Sequence, residues 1–139
     1  MRNEINVTLP AIVSNASLAR LIIMGILAPL DADTQQLTEV KTVVSEAVTN
    51  AIIHGYEGNP EGIVEFNAVL EGRRLKVVIK DHGVGIDDVE LAKQPLFTTK
   101  EDEERSGLGF MIMESFTDDF EVVSAPSVGT TVTFEREIL

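Results

Sequence analysis

Apolar and polar residues alternate along five stretches of this chain and recur at helical spacing along three more. Ile5, Val7 and Leu9 alternate over residues 4–10, which predicts a short edge strand ended by Pro10. Ser14 or Asn15 is placed to cap a helix running to about Leu27. Its apolar stripe is read as Leu18, Leu21, Ile22, Gly25 and Ile26, widened by Ile23, Met24 and Leu27. So much apolar surface fits a helix packed between two elements, or one with part of its face left for a dimer or partner. Residues 29–33 form a linker. Asp33 and Gln36 match a capping box. The helix that follows runs from Thr34 to about His54, burying Leu37, Val40, Val44, Ala47, Val48 and Ala51, with Gly55 as its C-cap.

A turn-rich loop spans residues 56–62. Residues 63–70 and 74–80 alternate as strands, joined through Gly72 tightly enough for a hairpin. Glycines end this hairpin at residues 81–85. Residues 86–106 are polar, with Leu91, Leu96 and Phe97 to tack them down, and so long a connection reads as a lid. Residues 107–116 predict a helix with Leu108, Met111, Ile112 and Ser115 on one side. Strands at 120–125 and 130–138 flank a turn. Pairing of strands that are neighbours in the chain gives a mixed or antiparallel sheet with helices on one face, an α+β sandwich. Strand–helix alternation of the doubly wound kind is absent.

Composition narrows the function. At 139 residues the chain is the size of one domain. Twenty-three acidic residues against 11 basic give a net charge of -12, which argues against general nucleic-acid binding and suits a partner with a basic face. With no cysteine there is neither a disulfide nor a thiolate metal site, compatible with a reducing cytosol. The N-terminus has no secretory apolar core. The apolar segment 18–30 is broken by Arg20, Gly25 and Pro29 and is too short to span a bilayer. The expectation is a cytoplasmic protein without a membrane anchor.

Four short pieces carry candidate chemistry. Glu46 and Asn50 lie four apart, on one helix face. Asn50 offers an uncharged oxygen to a metal-bound phosphate, and Glu46 is placed to orient or deprotonate an attacking hydroxyl. Alone, such a pair most often marks a solvated helix face. His54 extends the face by a turn, but one imidazole makes a poor structural zinc site. Asp81-His82-Gly83-Val84-Gly85 ends a strand, where an aspartate accepts from an exocyclic amine such as adenine's; an ordinary Asx turn gives the same string. Ser106-Gly107-Leu108-Gly109 opens a helix, an anion-binding arrangement that Lys100 and Arg105 reinforce. It is neither a Walker A loop nor a dinucleotide fingerprint. Thr130, after Gly129, can offer its hydroxyl to a phosphate or be a simple turn residue.

In this order the pieces resemble the Bergerat-type (GHKL) ATPase fold of histidine kinases and gyrase-type ATPases. Glu46 to Asn50 with His54-Gly55 matches its N box, Asp81-x-Gly83-x-Gly85 its first glycine box, Gly107-x-Gly109 its second, and Thr130 the threonine of the last strand pair. The resemblance covers nearly the whole chain. It implies ATP or ADP with Mg²⁺, the metal held through Asn50 and the adenine amine through Asp81. It assigns nucleotide contacts to Gly83, Gly85, Thr98, Thr99, Lys100, Arg105, Ser106, Gly107, Leu108, Gly109 and Thr130, with residues 86–106 as the ATP lid. The run Glu-Ala-Val-Thr-Asn-Ala-Ile-Ile-His-Gly-Tyr from Glu46 further resembles the anti-sigma-factor serine kinases of the RsbW type, sporulation regulators among them. That implies a homodimer that binds a sigma factor and phosphorylates a serine of an anti-sigma-factor antagonist, with Glu46 as catalytic base. The pattern leaves no room for a histidine phosphoacceptor domain, so any transfer goes to another molecule.

Overall fold

All five strands form, but they do not lie side by side in chain order. The computed structural model describes residues 1–93 and 109–139. Strand β1 (Arg2–Pro10) pairs antiparallel with β2 (Ile63–Glu71), and β2 with β3 (Arg74–Asp81). Beyond β3 comes β5 (Gly129–Glu137), and β4 (Asp119–Ala125) takes the far edge. Pairing by chain neighbour therefore fails at β3, and every ladder is antiparallel. The segment between β3 and β4 is long enough to carry the chain past the edge of β3. The β4–β5 hairpin then turns back to lay β5 against it. Asp81 consequently stands opposite Thr130.

Alternation along the strands sends Val64, Phe66, Ala68 and Leu70, then Leu75, Val77 and Ile79, then Val132 and Phe134, to one buried face. Helices α1 (Ser14–Leu27) and α2 (Thr34–Asn50) complete that core. A short helix α3 (Val89–Ala92) and a helix α4, described over residues 109–115, follow. Each fully buried aliphatic or aromatic side chain contributes about 1.5–3 kcal/mol by leaving water. No helix among the described residues is long and apolar enough to cross a membrane.

Several local expectations are corrected. α1 turns a different face inward: Ala16, Ala19, Ile23, Ile26 and Leu27 are buried, while Leu18 and Leu21 are exposed. The small Ala16 and Ala19 allow the close approach that a leucine stripe would prevent. Its N-cap position is Val13, with no side-chain cap, and the Asn15 amide instead donates to the Pro10 carbonyl at 2.8 Å. Asp33 caps α2 by accepting from the Gln36 N–H at 2.8 Å, but the reciprocal half of the capping box is missing. The Gln36 side chain is spent on the Leu139 backbone, donating to its carbonyl and accepting its N–H. In α4 the inward residues are Phe110 and Met113, and Met111 is exposed.

The α2 pattern does not stay α-helical to His54. After Asn50 the chain widens into a π turn, Ala51–Gly55, closed by the Tyr56 N–H donating to the Ala51 carbonyl at 3.0 Å. Such turns recur at functional sites because they re-aim the residues that flank them. Gly55 is not a left-handed cap. A Cβ there would lie 2.8 Å from the Asp81 carboxylate, so the glycine serves close approach.

Candidate functional site

The last residue of β3 sits beneath the π turn. Asp81 is 5 % exposed and on the helix side of the sheet. Burial raises its pKa above the usual aspartate value, opposed by backbone N–H groups of Gly83 and Thr130 and by the charge of His82. The Gly83 N–H reaches Oδ1 at 2.9 Å.

The loop after Asp81 is held on both sides by backbone. The Val84 N–H donates to the Gly55 carbonyl at 2.8 Å, and the Ser127 N–H to the Val84 carbonyl at 2.7 Å. A side chain on Gly83 would run into the Gly55 carbonyl, and one on Gly85 into the Ala125 carbonyl. Gly85 also has φ +75°, where only glycine is at ease. The Tyr56 hydroxyl braces the same loop, accepting the His82 N–H at 2.8 Å and donating to the Ile63 carbonyl at 2.5 Å.

Thr130, whose hydroxyl was expected at a phosphate or in a simple turn, instead stands at this end. Its register sets it beside Asp81, and its Oγ1 is 2.8 Å from the Ser124 hydroxyl. Ser124 in turn accepts the Ile86 N–H at 2.8 Å and donates to the Gly129 carbonyl at 3.0 Å. Sequence reading gave a site role to neither Tyr56 nor Ser124. The signal for Ser124 was a lone hydroxyl among the inward positions of β4, after Phe120 and Val122.

The other end is built on α2. Ala47, Val48 and Ala51 are buried and pin the helix, which leaves Glu46 and Asn50 together on the half-buried side. Gly109 of α4 closes on both: a Cβ there would lie 2.9 Å from Glu46 Oε2 and 3.6 Å from Asn50 Nδ2. That Nδ2 is buried and has no hydrogen-bond partner among the described residues. Buried amides rarely go unpaired.

His54 falls inside the π turn, half-buried. No group of three His, Cys, Asp or Glu residues among the described ones is placed to hold a metal. An uncharged amide beside a carboxylate fits an Mg²⁺ whose remaining ligands are phosphates and waters, while the unpartnered Nδ2, a donor, suits a phosphate or water oxygen. Asn50 would hold that metal through its side-chain oxygen.

The two ends are joined through α2 and its π turn. α2 carries Glu46 and Asn50, its π turn carries Gly55, and Gly55 lies against Asp81. The structure thus brings together Glu46, Asn50, Asp81, Gly83, Gly85, Gly109 and Thr130. Thr98, Thr99, Lys100, Arg105, Ser106, Gly107 and Leu108, with most of the segment read as a lid, lie outside the described residues.

Comparison with known proteins agrees with this geometry. Residues 9–136 match the family described as the histidine kinase-like ATPase domain. The anti-sigma F factor of Bacillus cytotoxicus is 56% identical over 132 residues, which cover 95% of this chain and 90% of that protein. That of Bacillus cereus is 55% identical over the same share. Among solved structures, the RsbU and RsbW domains of a Mycobacterium tuberculosis protein superpose with a TM-score of 0.70 at 21% identity; 98% of this chain is covered, and it spans 32% of that one. The nucleotide-free catalytic domain of the histidine kinase ThkA gives a TM-score of 0.60 at 18% identity, covering 99% of this chain and 96% of that one. With the family model matched over residues 9–136 and relatives this similar along nearly their full length, the chain belongs to the histidine kinase-like ATPase family and, within it, to the anti-sigma F factors.

Proposed function

We propose that this protein is an anti-sigma factor and an ATP-dependent protein-serine kinase. It sequesters a sporulation sigma factor and phosphorylates a serine of that factor's antagonist. The observation that carries the kinase reading is Gly109 standing against Glu46 and Asn50, whose buried Nδ2 donor has no partner among the described residues and suits a phosphate oxygen. The adenine amine lies at Asp81 and Thr130, and the phosphates lie along α2. Mg²⁺, when bound, offsets charge on the β and γ phosphates. Glu46 takes the proton of the substrate serine as its oxygen bonds to the γ-phosphorus. The bond from that phosphorus to the β–γ bridging oxygen breaks, and ADP leaves. Lys100, Arg105 and the backbone near Gly107 and Gly109 stabilise the transferring charge.

The sigma factor and a second copy of the chain are proposed to use the N-terminal strand and α1. Leu21 is 70% and Val13 65% exposed there, more than solitary surface residues explain. The protein works in the cytoplasm, with no direct contact to nucleic acid or membrane. Light scattering that finds a monomer at tens of micromolar would remove the dimer. A second reading, a non-catalytic ATP-dependent sigma-binding module, draws on the same exposed α1 face.

One experiment separates the two. The protein is incubated with labelled ATP, sigma-factor candidates and antagonist candidates, and phosphorylated residues are mapped. Glu46→Gln should lower transfer by about 10²–10⁴-fold, the usual range for a general base, while ATP binding stays close to that of the parent. Undiminished transfer by that variant removes Glu46 from the base role. Binding of sigma factor and ATP with no label on any partner favours the module.

A further inference from the structure

A hydroxyl has one proton to give and two lone pairs to receive with. Ser124 uses all three. One lone pair takes the Ile86 N–H at 2.8 Å, and the proton goes to the Gly129 carbonyl at 3.0 Å. The remaining contact, 2.8 Å to Thr130 Oγ1, is then satisfied only if Thr130 donates. Thr130 has no second proton, so what it offers the site is lone pairs alone. Asp81, directly opposite, offers lone pairs alone while ionised.

We propose that Ser124 is a positioning residue for base selection: it holds the Thr130 hydroxyl as an acceptor, so that this end of the site takes a base bearing an exocyclic amine and rejects one bearing a carbonyl in its place. This rests on the reading that the nucleobase lies at Asp81 and Thr130. An amine carries two N–H donors and serves both acceptors. A carbonyl there faces two acceptors and leaves buried lone pairs unpaired, which costs more than a missing contact. The Ile86 N–H makes the device local, because it locks the Ser124 hydroxyl from the side of the glycine loop. The proposal concerns recognition and holds whether or not phosphoryl transfer follows.

Inosine triphosphate, which carries a carbonyl where adenine has its amine and an N1–H where adenine has a lone pair, is the probe, and the change of preference between variants, to which the N1 difference is common, is the reading. Affinities for ATP and inosine triphosphate are measured by calorimetry for the full chain and for Ser124→Ala, Ser124→Thr, Thr130→Val and the Ser124→Ala/Thr130→Val pair. The parent should prefer ATP by about tenfold or more, as a mismatched buried polar group implies. Freed of Ser124, the Thr130 hydroxyl can turn and donate, so the preference of Ser124→Ala should shrink about 3- to 10-fold, one hydrogen bond's worth. Ser124→Thr should restore it, since it keeps the hydroxyl. In the Thr130→Val background, Ser124→Ala should leave the ratio unchanged. A ratio does not depend on how much of the sample is folded, so a purely structural role of Ser124 would not move it. An unaltered preference in Ser124→Ala overturns the inference. A parent that prefers ATP while Asp81→Asn loses it keeps the site reading standing even then. A parent that binds neither nucleotide overturns the site reading and the inference together.

Discussion

The two ends of the site are built in opposite ways. Around Asp81 the contacts are dense and complete. Carbonyls of Gly55, Ala125 and Asp81 stand where a Cβ on Gly83, Gly85 and Gly129 would lie, and the hydroxyls of Tyr56, Ser124 and Thr130 all have partners. Around Asn50 the backbone of Gly109 meets the ends of two side chains, and one buried amide nitrogen has no partner among the described residues. Rigid backbone suits recognition of a flat, invariant base, because it costs no ordering when the ligand arrives. An incomplete polar cluster suits a group that is bound, changed and released. The contrast teaches that the Asp81 end, proposed to take the base, belongs to the fold, whereas the Asn50 end, proposed to take the phosphates, is left for a ligand to complete.

The strongest way to break that contrast is to add one methyl group at each end. Gly83→Ala drives a Cβ into the Gly55 carbonyl, where backbone on both sides has no room to move. It should destabilise the chain by about 1–3 kcal/mol or more, typical of forced overpacking, seen as a clear fall in melting temperature. Gly109→Ala meets only the end of the Glu46 side chain at 2.9 Å, which can swing aside. Its melting should stay within about 0.5 kcal/mol of the parent, while transfer suffers because the displaced group is the carboxylate proposed as base. Equal melting losses would mean that both ends are equally rigid.

A smaller and opposite effect on stability is expected at Asp81. Burial raises its folded pKa above the ordinary 3.8. Between 3.8 and that raised value the native state holds the proton and the unfolded state does not, so stability falls as pH rises through the window. Above the window the whole penalty is present, and below 3.8 it is gone. Asp81→Asn should therefore melt higher than the parent at pH 7, with the advantage disappearing in acid. The same variant should lose about 10- to 100-fold in ATP affinity, the worth of a hydrogen bond to a charged group. Nucleotide binding by the parent should likewise weaken as the carboxylate is protonated and becomes a donor. Melting curves and calorimetry across pH check both signs. A variant less stable at pH 7 would show that the N–H groups of Gly83 and Thr130 outweigh burial.

How much of this the chain disclosed in advance follows from the range of each contact. Hairpins read well, because Gly72 and the alternation around it are neighbours in sequence. The insertion of β5 beside β3 was not legible, since turn chemistry fixes which strands join but not which member of a hairpin meets the sheet. The α1 face was misread because Leu18, Leu21, Ile22, Ile23, Met24, Ile26 and Leu27 surround the helix, and spacing alone cannot choose among them. Ala16 and Ala19, the residues that decide it, carry little hydrophobic weight. Gly55 looked like a helix cap because its use is a contact with Asp81, 26 residues away. Glu46, Asn50 and Asp81 were legible through the resemblance, as types at fixed spacing. Ser124 was not, because its role exists only once β4, the glycine loop and Thr130 meet.

The mildest prediction tests the open end itself. Asn50→Ala removes a buried amide whose nitrogen bonds to nothing, so little hydrogen-bond energy is lost. Alanine is also the better helix former by about 0.6 kcal/mol, so the variant should melt at or slightly above the parent. Its defect should appear only with the metal. With Mg²⁺ absent, a fluorescent ATP analogue should bind parent and variant alike. With Mg²⁺ present, only the parent should gain affinity. The base end would hold the ligand in both proteins, through Asp81 and Thr130, which are untouched. A variant that melts well below the parent would show that Asn50 is held by protein, and the distinction between a finished and an unfinished end would fall with it.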